Sequence, residues 1–335
     1  MDLNYTLRKI RQNEGAVDRW KTCSVLIIDE ISMLDGRLFD TLEYTARVLR
    51  CNDLPFGGIQ VVLCGDFFQL PPVGLGRNGV IFCFEARWWN AVVEHTMIMR
   101  KVFRQKDPAL QALLREVRYV GEGERVQSRI SSLFSFRLFA FNRNVDDYNQ
   151  QQLDALPAPP TEYVCIDSGD DEGACYQLRK SCQAPSRLVL KRGAQVMLVK
   201  NLSVGEGLVN GCRGVVTSFK SSGQDKPRLP VVTFATPLGE LVKTVEMQEF
   251  SLESGGHVVA TRKQLPLKLA WGISIHKSQG MTIDLLEVDL TGVFEAGMTY
   301  VALSRGVRSD RMCVKGFRES EVKTNKKWGR EKGGM

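Results

Sequence analysis

Residues Val25-Leu26-Ile27-Ile28-Asp29-Glu30 run four aliphatic side chains directly into two adjacent carboxylates. Burying an unpaired charge costs several kcal/mol, so a core position for that pair is excluded. The arrangement fits a buried parallel strand whose carboxyl end opens on a crevice, where such sheets place their ligands. There one acid can hold Mg²⁺ and the next can orient a water beside a phosphate. Two acids at a solvent-exposed strand end are the bland alternative, which the pair alone leaves open.

Working outward, Leu38, Leu42, Thr45, Val48 and Leu49 recur on one helical face that ends near Cys51. Pro55-Phe56-Gly57-Gly58 is a turn, and Ile59 to Cys64 is a second apolar strand. Two such strands separated by a helix predict α/β layering on a parallel sheet. Upstream, residues 5–20 have helical spacing, with a break expected at Gly15. Downstream, a helix is expected over 108–120, a strand over Leu133 to Phe141, and a helix over 144–156. Asp167 to Glu172 is predicted as an acidic loop. Residues 193–264 change character, with short apolar runs between Gly, Ser, Pro and Asp, and predict a small all-β unit with a hairpin tip at 221–227. Apolar strands at Leu285–Leu290 and Met312–Val314 flank a predicted helix at 297–304.

The 335 residues suit two or three domains, and 43% hydrophobic with 25% charged residues is ordinary for a globular protein. Apolar runs fall far short of the roughly 20 residues that span a bilayer, so no membrane partner is expected. Nine cysteines with no Cys-x-x-Cys pair and only three histidines lack zinc-ligand spacing and point to reduced thiols. Net charge is +7, and residues 315–335 hold seven Lys or Arg against three Glu. A basic tail favours a polyanion partner, but a solvated end is the commoner explanation of such a run.

Three further constellations carry chemistry. Gly65-Asp66-Phe67-Phe68-Gln69-Leu70-Pro71-Pro72-Val73 again sits at a strand end, and Gln69 offers a donor and an acceptor to a phosphate and its attacking water. Ser274-Ile275-His276-Lys277-Ser278-Gln279-Gly280-Met281-Thr282 joins small hydroxyls, a cation and a glycine backbone, as gripping a phosphodiester requires. Tyr300-Val301-Ala302-Leu303-Ser304-Arg305 ends a helix on an arginine able to offset charge on a transferred phosphoryl group; Arg104 in Val102-Phe103-Arg104-Gln105 is a second candidate.

In order and content the four constellations resemble the Pif-one/RecD-like branch of superfamily-one DNA helicases. Asp29-Glu30-Ile31-Ser32-Met33 resembles that family's Walker B element and Gly65–Val73 its motif III. Leu265–Trp271 with His276–Thr282 resembles motif V, Tyr300–Arg305 motif VI, and Val102–Gln105 motif IV. The resemblance runs from about residue 7 to 317. It implies two RecA-like parallel-sheet domains, the first truncated, with a small inserted SH3-like β-barrel. The implied spans are 1–100 for the partial first domain, 101–206 with 265–318 for the second, 207–264 for the β insertion and 319–335 for the basic tail. It also implies a monomer that uses ATP and Mg²⁺ to move 5′ to 3′ along single-stranded DNA, in repair, recombination and telomere maintenance.

By the same resemblance Asp29 is the Mg²⁺ ligand and Glu30 activates the hydrolytic water. Gln69 senses the terminal phosphate, Arg104 and Arg305 are arginine fingers, and His276, Lys277, Ser278, Gln279, Gly280 and Thr282 meet DNA. A nuclear or mitochondrial site is implied. Met298 departs from the family's usual glutamine before its Ala-Tyr pair. The larger departure is upstream: a phosphate loop requires Gly-Lys, and no glycine is followed by lysine in these residues. The chain is therefore expected to begin inside the first domain and to lack ATP turnover by itself. The alternative is a shortened protein that binds single-stranded nucleic acid or a partner without hydrolysing ATP.

Overall fold

The computed structural model describes residues 3–73, 79–119, 136–169, 171–221, 228–254, 257–318 and 322. The chain divides into two compact units, residues 1–141 with 274–335, and residues 142–273. This division groups 101–141 with 1–100, whereas the resemblance sets a boundary at 100.

In the first unit, helices Leu3–Arg11 and Glu14–Thr22 lead into the Val25–Ile28 strand. The break between the helices lies at Asn13, not at Gly15. Asn13 Oδ1 accepts the Ala16 amide at 2.9 Å, so the asparagine caps the second helix and Gly15 falls inside its first turn. Val25–Ile28 pairs in parallel with Gln60–Leu63, in a register that sets Ile28 against Leu63. The helix between them, Gly36–Arg50, is capped by Asp35, which accepts the Arg37 amide, and ends on Cys51 at φ 50°.

That helix buries Phe39 and Ala46 in a cluster with Phe56, Ile59, Phe67, Phe82 and Phe84. Aromatic edges and faces supply much of this packing: the Phe39 and Phe56 rings meet at 5.5 Å and 71°, and Phe67 and Phe84 at 5.0 Å and 88°. The Val25–Ile28 strand is not buried on both faces as its composition predicts. Leu26 and Ile28 pack on this core, but Val25 and Ile27 are 46% and 66% exposed. Side chains alternate across a strand, and the described sheet has two strands with one face covered.

Three parallel strands of a second, four-stranded sheet, Phe136–Phe139, Leu286–Asp289 and Met312–Lys315, lie in the same unit, with Leu286 opposite both Phe136 and Met312. Helices Pro108–Tyr119 and Met298–Ser304 contact one another, burying Leu110, Leu114 and Val117 from one and Val301, Ala302 and Leu303 from the other. These two parallel sheets are the RecA-like pattern that the resemblance implies. The apolar strands at 285–290 and 312–314 and the helix at 297–304 form close to their expected places.

The second unit opens with the Asn142–Asp154 helix and is otherwise mostly antiparallel. One sheet runs in the order Gly239–Thr244, Leu229–Thr236, Arg213–Lys220, Gln195–Leu198, Leu267–Leu269. A separate sheet orders Gln248–Ser254, His257–Gln264 and Ile166–Gly169. The all-β character expected over 193–264 is present as these sheets. Of the expected hairpin tip, 222–227 lies outside the described residues, as do 133–135 of the expected Leu133 strand and the basic tail apart from residue 322.

The acidic loop predicted at 167–172 is a strand followed by a helix. Asp167 to Gly169 belong to Ile166–Gly169, and Glu172 starts the Glu172–Ser181 helix. The reason is Arg262, which is 1% exposed on the neighbouring strand. Its Nε and Nη2 donate to the two Asp167 carboxylate oxygens at 2.7 and 2.8 Å, and its Nη1 donates to Ala184 O at 3.0 Å. A buried guanidinium needs that fork of acceptors, and it draws an acidic segment into the sheet.

Candidate functional site

Every side chain of this site lies in the first unit. Asp29 follows the Val25–Ile28 strand, and Glu30 turns the chain through a left-handed conformation at φ 49° and ψ 45° before the short 3₁₀ turn Ile31–Met33. The Ile31 amide donates to Cys64 O at 3.0 Å, which holds this turn beside the end of the Gln60–Leu63 strand. Asp29 is exposed, and its Oδ1 accepts the Glu30 amide at 2.8 Å.

Gln279 reaches the same turn from the other end of the sequence. Its Nε2 donates to Glu30 Oε2 at 2.8 Å. Arg104 joins the loop that carries Gln279: its Nε donates to Thr282 Oγ1 at 3.0 Å and its Nη1 to Ser304 O at 3.3 Å. Arg305 is buried, donating to Val301 O at 2.9 Å and to Ser304 Oγ at 2.7 Å. Burial and the neighbouring Arg104 cation lower its pKa to about 10, against the pull of Glu30, Tyr300 and Asp66. It stays charged at neutral pH. The two arginines and Glu30 thus share one electrostatic neighbourhood.

Gln69 lies on the loop after the second strand, and Gly297 packs on its backbone. A Cβ at Gly297 would fall 2.5 Å from Gln69 O, and its φ of +83° is one that other residues rarely adopt. Gln69 Oε1 and Gln279 Oε1 are both buried and accept no hydrogen bond among the described residues. Buried acceptors of that kind are rare unless a further donor belongs at the site.

Sequence reasoning missed three contributors. Arg118 donates to Asp66 Oδ1 at 3.1 Å and to the Tyr300 hydroxyl at 3.3 Å, with its guanidinium 5.0 Å from the Phe68 ring centre. It ties the loop carrying Gln69 to the helix that ends on Arg305. Gln105 is buried and donates through Nε2 to Ser304 O and Gly306 O, both at 2.9 Å. Glu295 meets His276 Nε2 at 2.9 Å. None of the three has a local signal, because each partner is more than fifteen residues away or on another element.

The loop 276–282 divides by direction. Lys277, Gly280 and Thr282 are exposed and His276 is half-buried. Ser278 is fully buried and its hydroxyl donates to Ile275 O at 2.7 Å, closing the turn, while Gln279 points at Glu30. For Mg²⁺, Asp29 is a suitable carboxylate, exposed at a strand end. Among the described residues no three His, Cys, Asp or Glu side chains group to hold a metal by themselves. That donor set fits magnesium, which is usually held by one or two carboxylates completed by phosphates and waters.

An α/β chain with two parallel sheets, an acidic pair at a strand end and two arginines beside it has the design of a nucleotide-driven motor domain. The description "PIF1-like helicase" matches residues 2–120, and "DNA helicase Pif1, 2B domain" matches residues 176–219. The chain is 38% identical over 327 residues to the ATP-dependent DNA helicase PIF1 of Xenopus laevis, covering 95% of this chain and 50% of that protein. The crystal structure of the Pif1 helicase from Candida albicans superposes with a TM-score of 0.89 at 35% identity, covering 98% of this chain and 80% of that one. A Pif1 helicase from Bacteroides, solved in complex with ADP-AlF3 and ssDNA, superposes with a TM-score of 0.68 at 25% identity, covering 96% of this chain and 79% of that one. The chain belongs to the PIF1-like helicase family. It spans about half the length of the curated relative it matches.

Proposed function

We propose that this chain supplies the water-activating, phosphate-sensing and DNA-gripping parts of an ATP-dependent, 5′-to-3′ DNA helicase. The observation that carries this reading is the hydrogen bond from Gln279 to Glu30 at 2.8 Å, which joins the DNA loop to the hydrolytic carboxylate. Glu30, once released by Gln279, takes the proton of the attacking water. Arg104 and Arg305 offset charge that develops on the transferred phosphoryl group. Gln69, with its free acceptor, reports the terminal phosphate through the backbone contact to Gly297. Asp29 would hold Mg²⁺, which neutralises phosphate charge when bound. Lys277, Gly280 and Thr282 offer a cation, a bare backbone and a hydroxyl to the DNA backbone.

The domains in this reading run 1–100, 101–206 with 265–318, and the inserted β subdomain 207–264. The protein would act as a monomer on single-stranded DNA in the nucleus or mitochondrion, serving repair, recombination and telomere maintenance. The relatives' names support helicase function, and the Bacteroides complex supports use of a nucleotide and single-stranded DNA.

One specific observation favours a second reading. No glycine precedes a lysine in the 335 residues, so the amides and cation that cradle phosphates are not among them. By itself the chain would then bind single strands without turnover. DNA-stimulated ATP hydrolysis by the 335-residue chain decides this: none is expected, and turnover abolished by Glu30→Gln would overturn the expectation. An in-frame Gly-x-x-x-x-Gly-Lys-Thr segment in the transcript upstream of Met1 would establish the helicase reading over the second.

A further inference from the structure

Arg118 belongs to none of the sequence patterns that carry chemistry, yet three side chains of the site converge on it. Its Nη2 donates to Asp66 Oδ1 at 3.1 Å and its Nη1 to the Tyr300 hydroxyl at 3.3 Å. The guanidinium lies 5.0 Å from the Phe68 ring centre and 5.7 Å from that of Tyr300. An ion pair in open water contributes little, but here the Asp66 side chain is 14% exposed and that of Arg118 33%. The position uses the fork of an arginine: one planar cation reaches acceptors on two segments while its face covers two rings. A lysine offers a point charge and cannot do both.

Both segments carry groups of the phosphoryl site. Asp66 shapes the first. Its carbonyl accepts the Gln69 amide at 2.9 Å and its Oδ1 accepts the Phe68 amide at 3.1 Å, so the carboxylate and Gln69 belong to one turn. Tyr300 lies on the second, the Met298–Ser304 helix, whose Val301 O accepts Arg305 Nε at 2.9 Å. Gly297 packs on Gln69 O, but a close contact between backbones resists approach and not separation. The directional, charge-assisted bonds of Arg118 resist separation.

We infer that Arg118 is a positioning residue for phosphoryl transfer, holding the Gln69 loop and the Arg305 helix in register from its place on the Pro108–Tyr119 helix. The inference rests on the reading above in which Gln69 and Arg305 act on the transferred phosphate. Arg118 acts through Asp66 and Tyr300. Burial and the Asp66 charge push the Tyr300 hydroxyl pKa up and Arg118 pulls it back, so that hydroxyl reports whether the clamp is closed.

The test uses the full 335-residue chain and two readouts. One is amide hydrogen exchange. The other is fluorine NMR of chains carrying fluorotyrosine, whose more acidic hydroxyl titrates under milder alkali, with Tyr300→Phe assigning the Tyr300 signal. Arg118→Met is expected to speed exchange at the Phe68, Gln69 and Val301 amides roughly tenfold or more, with the Gln60–Leu63 strand unchanged. It is also expected to raise the Tyr300 titration. Arg118→Lys keeps the charge without the fork, so it should leave that titration near the wild type and still speed exchange. Faster exchange confined to the Pro108–Tyr119 helix, an unmoved Tyr300 titration in Arg118→Met, or exchange fully restored by Arg118→Lys overturns the inference. If Arg118→Met does not fold, Tyr300→Phe tests the clamp from its other end. It is expected to speed exchange at Phe68 and Gln69, on the segment bound to Asp66, and unaltered rates there overturn the inference. The helicase reading is tested apart from this, by ATP turnover and by the segment upstream of Met1, and none of these outcomes decides it.

Discussion

Gln279 and Glu30, 249 positions apart, are joined by a 2.8 Å hydrogen bond from the amide Nε2 to the carboxylate Oε2. A charge-assisted bond between half-buried partners stabilises the fold and restrains the carboxylate at once. The bond engages Oε2 and so orients the carboxylate.

The bond predicts coupling in a double-mutant cycle. Glu30→Ala and Gln279→Ala should each destabilise the chain, and the double variant should fall short of their sum by about 0.5–1.5 kcal/mol. Urea unfolding midpoints of the four proteins measure this. Additive losses would show that the bond contributes nothing.

Gly297→Ala places a methyl 2.5 Å from Gln69 O in a backbone conformation at φ +83°. Both effects act together, so a loss of roughly 2 kcal/mol or more is expected. Gly306→Ala serves as the control, because its nearest neighbour is the end of the Met312 side chain at 3.1 Å, which can move. Thermal unfolding should separate the two variants clearly.

Asp167→Asn strips the buried Arg262 guanidinium of its ion-pair partner. Breaking one side of such a pair typically costs about 3–5 kcal/mol; with Asp167 partly exposed, the lower end is expected. Arg262→Met with Asp167→Asn should recover part of the loss, since both charges are then gone. A double variant no more stable than Asp167→Asn would refute the account.

Acid stability should report on Asp107. Its carboxylate accepts the Ser309 hydroxyl, the Ser309 amide at 2.8 Å and the Ala109 amide at 3.0 Å, which lowers its pKa to about 2. A folded-state pKa below the unfolded value of about 3.9 makes the ionised form stabilising. That contribution is full above about pH 4 and is lost as pH falls toward 2. The Asp107→Asn chain should show a shallower decline across this window in chemical denaturation. An unchanged decline would mean that these bonds do not persist in solution.

Much of the site was legible as local pattern. Asp29-Glu30 announces itself because two charges end an apolar run, and Arg305 because a helix of buried residues ends on a cation. Ser278 was misjudged within the same pattern: a hydroxyl in a polar loop looks available, but here it donates to Ile275 O and closes the turn. Arg118 had no signal, since an arginine on an amphipathic helix looks like a surface residue until Asp66, Phe68 and Tyr300 are placed around it.

For the fold, the sequence by itself determined the parallel strands, the helix through Leu38 to Leu49 and the all-β character of 193–264, because hydrophobic period and turn residues are properties of neighbouring positions. It also determined family membership, through motifs whose order survives on one line of text. Tertiary structure alone decided that Val25 and Ile27 face outward, that Asp167 leaves a loop to meet Arg262, and that Gln279 closes on Glu30. Those outcomes depend on which distant group satisfies a buried charge or covers a strand face, and such pairings across many tens of residues leave no trace in local spacing.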